Sequence, residues 1–244
     1  MPKVRADVLL VDRGLAPSRE RAQALILAGK VYCGERRVEK AGDKLHDDVA
    51  LELRGEDIPY VSRGGLKLEG ALASFAYDPA GKVAADFGAS TGGFTDCLLQ
   101  RGAVRVYAID VGYGQLHAKL RTDPRVVVME RTNARTLGAG DLPEVLDLVV
   151  IDASFIGLDK LLPAAHALLR EGGDVLAMVK PQFEVGPENV GSGGVVRDES
   201  VREQAITAVA EAAKAIGFEV VARADAAIKG PKGNHEAFLH LRRR

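Results

Sequence analysis

The sequence predicts an α/β protein: a mostly parallel, doubly wound sheet of seven strands, preceded by a small α+β module. Three observations predict it. From residue 82 onward short apolar runs alternate with helical patterns, the order of a parallel sheet with helices on both faces. The first run, Lys82-Val83-Ala84-Ala85, leads into the glycine-rich turn Gly88-Ala89-Ser90-Thr91-Gly92-Gly93. The chain also changes character at 54–61, a polar stretch containing Gly55 and Pro59, which reads as a linker behind a separate module.

At 244 residues and 47% hydrophobic content, the chain has material for one large core and a small one. Lys and Arg number 33 against 34 Asp and Glu, and a net charge of −1 names no partner. The distribution is more informative: residues 1–40 hold nine basic side chains against five acidic ones, and the chain closes on Arg242-Arg243-Arg244. Such local positive charge suits a polyanion, or simply a solvated face. Cys33 and Cys97 allow one pairing and no disulfide framework, so both are read as small hydrophobes. No apolar run has the length to cross a bilayer, and the first residues hold no signal-peptide core. The expectation is a soluble, cytoplasmic protein with no membrane partner.

Taken in order, residues 6–11 form a helical pattern stopped by Gly14. Ser18 then caps a second helix, 19–28, with Ala22, Leu25 and Ile26 on its apolar face and Gly29 at its end. Short strands follow at 31–33, 36–38 and 49–53. The expected boundaries are a first domain at 1–58, a linker at 59–63 and a second domain at 64–244. A helix at 66–75 buries Leu66, Leu68, Leu72 and Phe75. Lys67, in its first turn, opposes the helix dipole, which hints at a functional reason beside the ordinary one of a solvated lysine. Strands are expected at 82–87, 104–109, 126–129, 146–151, 174–179, 218–224 and 236–241, and helices at 93–101, 114–121, 158–170 and 198–216. The loop 229–234 is too short for a crossover helix, so the last strand must pair antiparallel. Residues 182–197 form one long loop of the lid or clamp kind.

A strand running into glycines and then a helix makes a crevice that backbone can approach closely. Its spacing is G-x-x-x-G-G, neither the G-x-G-x-x-G of dinucleotide sites nor a phosphate loop ending in Gly-Lys-Ser/Thr. The second strand ends in Asp110, 22 residues after Gly88, where a carboxylate suits a pair of ribose hydroxyls. This pattern resembles an S-adenosylmethionine site; a ligand-free strand–turn–helix is the plain alternative. The cofactor set is Asp86, Gly88, Ala89, Ser90, Thr91, Gly92, Gly93, Phe94, Asp110, Asn133 and Asp152. Asp152 and Lys180 close the fourth and fifth strands, at the edge where open parallel sheets bind ligands. The fourth strand continues Asp152-Ala153-Ser154-Phe155, without the Asp/Asn-Pro-Pro-aromatic run of methyltransferases that act on planar amino nitrogens. An oxygen acceptor is left open.

Two resemblances give these features a family. Arg5-x-Asp7, Gly14, Ser18-Arg19-x-x-Ala22, Ile26 and Gly29-x-Val31-x-x-Gly34 resemble the small RNA-binding fold named after ribosomal protein S-four. That resemblance implies RNA contact through Arg5, Ser18, Arg19, Arg21, Lys30, Arg36 and Arg37, against the alternative of a packing module. Lys67, Asp152, Lys180 and Glu236 resemble, in order and context, the Lys-Asp-Lys-Glu tetrad of FtsJ-type ribose 2′-O-methyltransferases, Glu236 being placed by context beside His235. Together the two resemble the TlyA family over essentially the whole chain. The resemblance implies a seven-stranded Rossmann-like S-adenosylmethionine methyltransferase fold with a small α+β RNA-binding domain. It also implies ribosomal RNA of the small or large subunit as partner; no visible motif requires a metal. In that chemistry the sulfonium methyl is already activated and the ribose hydroxyl is a poor nucleophile, so positioning and loss of one proton are the main tasks. Lys180 would take or steer that proton, tuned by burial and by Lys67, with Asp152 and Glu236 orienting the lysines. The alternatives are a non-catalytic RNA-binding assembly factor and a membrane-active haemolysin. The glycine spacing argues against a nicotinamide dehydrogenase.

Overall fold

In the computed structural model, which describes residues 3–27, 29–54, 58–230 and 233–244, the chain divides into two units, Met1–Asp57 and Ile58–Arg244. The expected helix end at Ala28, the middle of the linker (55–57) and two residues of the hairpin loop (231–232) lie outside the described residues.

The first unit runs β1 (Lys3–Arg5), α1 (Ala6–Asp12), α2 (Arg19–Leu27), β2 (Val31–Cys33), β3 (Arg36–Arg37), β4 (Lys44–His46) and β5 (Leu51–Leu53). Ser18 Oγ accepts from the Arg21 N–H at 3.2 Å and so starts α2. Ala6, Leu9 and Leu10 of α1 pack with Ala22, Leu25 and Ile26 of α2, and Val31, Val38 and Leu51 close the core. β2 lies between β3 and β5, and β1 pairs with β4 with Val4 opposite Leu45. That second pair escapes a reading of periodicity, because each strand is three residues long and turns one apolar side chain inward.

The second unit runs α3 (Gly64–Ser74), β6 (Val83–Phe87), α4 (Gly93–Gln100), β7 (Arg105–Ile109), α5 (Ala118–Arg121), β8 (Val126–Met129), β9 (Leu146–Ile151), α6 (Leu162–Leu168), β10 (Leu169–Val179), α7 (Pro181–Glu184), α8 (Glu199–Ile216), β11 (Phe218–Asp225) and β12 (Ala237–Arg243). Its seven-stranded sheet has the order β11-β12-β10-β9-β6-β7-β8. The five strands from β10 to β8 are parallel, and β12 is antiparallel to both of its neighbours, as the short last loop requires. Both faces are covered, so the strands read as continuous apolar runs rather than alternating ones. Leu148 and Val150 of β9 pack toward Leu68 of α3 and Leu98 of α4, whereas Val149 and Ile151 pack toward Leu162 of α6 and Ile206 and Val209 of α8.

Three expected elements differ. The helix at 114–121 is only 118–121: His117 caps it through Nδ1, which accepts from the Lys119 N–H at 3.2 Å, and Gly114 before it sits at φ +72°. The helix at 158–170 is a 3₁₀ turn at Leu158–Lys160 followed by α6, restarted at Pro163, and the chain is extended from Leu169. The 182–197 loop contains the end of α7 and a 3₁₀ turn at Pro187–Asn189. Within the expected linker, Tyr60 is buried in the α3–α4 core and the Val61 N–H donates to Asp96 Oδ2 at 2.9 Å.

From β6 the chain winds outward to β7 and β8, then returns to place β9 on the other side of β6. The loops leaving β6 and β9 therefore part from each other, opening a crevice at the carboxyl edge of the sheet. Among the described residues no helix is long and apolar enough to cross a membrane.

Candidate active site

The first wall of the crevice is the glycine turn after β6. Gly88 sits at φ +85°, and a Cβ there would lie 3.0 Å from the Asp152 carbonyl and 3.1 Å from Ala153 Cα, so only glycine lets the two diverging loops touch. Gly93 is closed in from the other side, since its Cβ would fall 2.2 Å from Ser62 Oγ. Asp110 braces the turn: one carboxylate oxygen accepts from the Ser90 N–H at 2.8 Å, the other from the Gly112 N–H at 2.7 Å.

Asp86, the penultimate residue of β6, is fully buried. Its Oδ2 accepts from the Thr95 N–H (3.0 Å) and hydroxyl (2.7 Å) at the start of α4, while Oδ1 is buried with no partner. Burial, with smaller contributions from the Asp152 and Asp110 charges, pushes this carboxyl up to about 7.

The four residues of the tetrad meet here from α3, the end of β9, the end of β10 and the residue before β12. They form two ion pairs. Lys67 Nζ lies 2.5 Å from Glu236 Oε2, both side chains buried. Lys180 Nζ lies 2.6 Å from Asp152 Oδ1, and also donates to Ser154 Oγ at 2.9 Å and to the Asp152 carbonyl at 3.3 Å. Each lysine thus has its own carboxylate. The placement of Lys67 against the α3 dipole has its reason in Glu236, 169 residues away.

All four line a cavity of about 600 Å³ together with Asp86, Gly88, Ala89, Ser90, Thr91, Gly93 and Phe94. Gly92, Asp110 and Asn133, expected in the same set, are not among its lining residues. Gly92, at φ +95°, begins α4 facing Leu116 and Leu120, Asp110 backs the turn, and Asn133 caps the 3₁₀ turn after β8 by accepting from the Arg135 N–H at 3.2 Å.

The cavity also has walls that motif reading leaves unassigned. Ser154 follows Asp152 in a segment whose missing prolines draw attention, yet its bond to Lys180 is visible only in three dimensions. Phe155 is 91% exposed with φ +65°, a backbone state that disfavours a bulky side chain, and its ring contacts Phe183 of α7 at 5.1 Å. Asn234, buried, ties the two glycine-rich loops together: its Oδ1 accepts from the Val196 N–H and its Nδ2 donates to the Gly194 carbonyl, both at 2.9 Å. Among the described residues no group of three or more His, Cys, Asp or Glu is placed to hold a metal ion. Cys97 is buried, which pushes its thiol up to about 12 and makes it a poor nucleophile.

In the first unit the basic residues divide. Arg5 donates twice to buried Asp7 at 2.9 Å, and Arg19 once at 3.2 Å; the Arg5 contact, foremost, holds that carboxyl well below the usual range. Both arginine side chains remain about half exposed, at 47% and 55%. Arg21 is exposed on α2, and Lys30, just before β2, is half-buried. Arg36 and Arg37 are exposed on β3 and border a hollow with Lys40. Ser18 is engaged as the cap of α2. In the basic tail, Arg242 pairs with Asp174 at 3.0 Å and Arg243 donates to the Leu169 carbonyl, so two of its three guanidinium groups serve the sheet.

A family model described as FtsJ-like methyltransferase matches residues 60–243, and an S4 domain model matches residues 4–49. The 16S/23S rRNA (cytidine-2′-O)-methyltransferase TlyA of Mycobacterium tuberculosis is 48% identical over 98% of this chain and 90% of its own length. A solved structure from Streptococcus thermophilus named as a candidate hemolysin covers 100% of this chain and 89% of its own at 45% identity, with a TM-score of 0.77. An S-adenosylmethionine dependent methyltransferase from Mesorhizobium loti, 15% identical with a TM-score of 0.54 over 71% of this chain and 96% of its own, shares the fold of the second unit. By both domain matches and this identity over nearly its full length, the chain belongs to the TlyA family, an FtsJ-like methyltransferase domain preceded by an S4 domain.

Proposed function

We propose that the protein transfers the methyl group of S-adenosylmethionine to a ribose 2′-hydroxyl of ribosomal RNA. The observation that carries this reading is the pairing of Lys180 with Asp152 and of Lys67 with Glu236 in one cavity beside the glycine turn. The residues present fit the cofactor. The partnerless Asp86 Oδ1 suits an ammonium group, Gly88 lets the Asp152 loop close against the glycine turn, and Asp110 keeps lone pairs free for ribose hydroxyls beyond the two N–H groups it already accepts. When bound, the cofactor supplies an electrophilic methyl on a sulfonium.

The chain's own residues then have a task of aim. Held by Asp152 Oδ1 and Ser154 Oγ, the Lys180 amine turns toward the acceptor oxygen the N–H that otherwise makes the long 3.3 Å contact to the Asp152 carbonyl, and so aims that oxygen's free lone pair at the methyl. Because the two lysines sit in separate ion pairs, Lys180 steers the hydroxyl proton rather than taking it: as the methyl–oxygen bond forms and the methyl–sulfur bond breaks, the proton becomes acidic and passes to water. The exposed arginines of the S4 domain supply non-specific attraction to RNA phosphates.

The relatives' 2′-O-methyltransferase names accord with this reading, as does the prolineless Asp152-Ala153-Ser154-Phe155 segment. The test is to incubate the purified protein with ribosomal RNA and cofactor, digest the RNA to nucleosides and identify the methylated product. A 2′-O-methylated nucleoside is expected; methyl on a base carbon or nitrogen would contradict the proposal.

A further inference from the structure

We infer that Asn234 is a positioning residue for the transfer, its side-chain amide fixing the wall of the acceptor side to the segment that carries Glu236; this rests on the methyl-transfer reading above. The wall is the turn 191–196, whose Gly194 lines the cavity together with Asn234 and Glu236. The fit to the cofactor rests on Asp86 and the glycine turn after β6, so a wall built from the chain beyond β10 falls to the acceptor. Gly193 and Gly194 both lie in the left-handed region, at φ +82° and +77°, and Val196 alone of this turn is buried. The Gly191 N–H donates to the Val195 carbonyl and the Gly194 N–H to the Gly191 carbonyl, both at 3.0 Å, which closes the turn on itself. With so little packing, its position is set by the hydrogen bonds that tie it to the rest of the chain. Among the described residues these all go to Asn234: the Val196 N–H donates to Oδ1, and Nδ2 donates to the Gly194 carbonyl.

The main chain of Asn234 faces the other way, toward the Lys67–Glu236 pair. Its carbonyl accepts from the Gly230 N–H at 3.0 Å. Gly230 in turn is pressed against Glu236, so closely that a Cβ there would fall 2.6 Å from Oε1. The second carboxylate oxygen, Oε2, holds Lys67 Nζ at 2.5 Å. Asn234 therefore joins the glycine turn on one side to the backing of Glu236 on the other. It is 2% exposed, and both halves of its amide are satisfied by backbone. Removing the amide leaves the Val196 N–H without its partner and frees the wall to shift against the paired carboxylate. A displacement of about 1 Å in such a site costs on the order of 10²-fold in rate.

The test is single-turnover methyl transfer to ribosomal RNA by the full-length protein, with enzyme in excess and cofactor saturating. Asn234→Ala should lower the rate constant by about tenfold or more, while cofactor affinity by calorimetry holds within about twofold. A residue that served stability alone would lower the fraction of active enzyme and leave the rate constant of the folded remainder.

Asn234→Asp gives a comparison within one protein, so a poorly folding alanine variant does not decide the matter. Ionised, the carboxylate accepts from Val196 but opposes the Gly194 carbonyl. Protonated, its O–H donates to that carbonyl and both bonds return. Burial raises such a carboxyl above its ordinary value of about 3.9. Relative to wild type, the Asn234→Asp rate constant should climb about fivefold or more from about pH 8 to about pH 5.5, the worth of one hydrogen bond. The Asn234→Ala ratio should stay flat. The charged and titratable groups nearby are the Lys67–Glu236 pair, Lys229, His235, Arg197 and Arg202, which donates to the His235 carbonyl. All are common to both proteins and cancel in the ratio. A wild-type rate constant in Asn234→Ala, an equal fall in cofactor affinity, or a pH-independent ratio for folded Asn234→Asp overturns the inference alone. Absence of any transfer by the wild type overturns the methyl-transfer reading and the inference with it.

Discussion

Asp86 carries one carboxylate oxygen satisfied by Thr95 and one with no partner, in a position where burial favours its neutral form up to about pH 7. Since its folded value is raised, the sign is fixed: Asp86 detracts from stability as pH climbs from the ordinary carboxylate range through neutrality. Asp86→Asn keeps an acceptor for Thr95 and should unfold at higher temperature than the wild type at pH 8, while binding cofactor more weakly. An ammonium at Oδ1 requires the ionised form, so cofactor binding should release part of a proton near neutral pH. Calorimetry in buffers of different ionisation heat reads this directly, and heats independent of buffer would remove Asp86 from the ammonium's surroundings. The Lys67–Glu236 pair makes a second prediction at this scale. Lys67→Ala leaves a buried carboxylate uncompensated, at a cost of about 3–5 kcal/mol of folding stability as well as activity. Glu236→Gln, which keeps an acceptor for the ammonium, should be milder in a denaturant titration, and a Lys67→Ala protein as stable as the wild type would contradict the pairing. Asp152 and Lys180 are conspicuous in the sequence as charged groups closing apolar strands, whereas Lys67 is marked by its place against a helix dipole and Glu236 by the resemblance to the tetrad alone. Such marks could not give the partners, since Lys67 and Glu236 are 169 positions apart. Asn133, Asp110 and Gly92 show the converse: a place at the end of a strand or turn does not ensure a place in the cavity wall.

At the scale of elements, the arms leaving β9 and β10 are cross-braced. Lys180 holds Ser154, Phe183 contacts Phe155, and Glu184 accepts from the Leu158 N–H at 3.0 Å. The last brace ends the loop that carries the strained Phe155, and burial raises the Glu184 carboxyl to about 7. Glu184→Gln preserves an acceptor and removes the penalty of a buried charge, so it should be at least as stable as the wild type above pH 7, with transfer retained. Glu184→Ala orphans the Leu158 N–H, and thermal unfolding should register a loss of about 1 kcal/mol or more. Transfer should fall while cofactor affinity holds; an alanine variant with unchanged transfer would show that the loop needs no such brace. None of this is legible beforehand, because the braces join segments more than twenty residues apart. The sheet is legible for the opposite reason. Val149-Val150-Ile151 and Val175 to Val179 are buried on both faces, and no solvent-facing position interrupts the run. Short helices such as α5 depend on a local cap at His117 and glycines before it, which a periodicity window of a dozen residues averages away.

For the whole molecule, the proposed function divides labour between an S4 domain that meets RNA and a methyltransferase domain that performs the transfer. Arg36→Ala with Arg37→Ala, on an exposed two-residue strand, should weaken RNA binding. It should also flatten its dependence on log salt by roughly 0.7 per lost phosphate contact, while cofactor affinity stays fixed. An unaltered salt slope in filter binding would move the RNA contact elsewhere on the S4 domain. Methyl transfer to a ribose hydroxyl directed by Lys180 is checked by 2′-O-methyl mapping of ribosomal RNA after a single turnover with saturating cofactor, wild type against Lys180→Ala. A discrete methylated ribose is expected with the wild type and a loss of about 10²-fold or more in the variant, the scale of a misaimed acceptor, with cofactor affinity nearly unchanged. A Lys180→Ala protein that methylates the same ribose at the wild-type rate would contradict that role of Lys180.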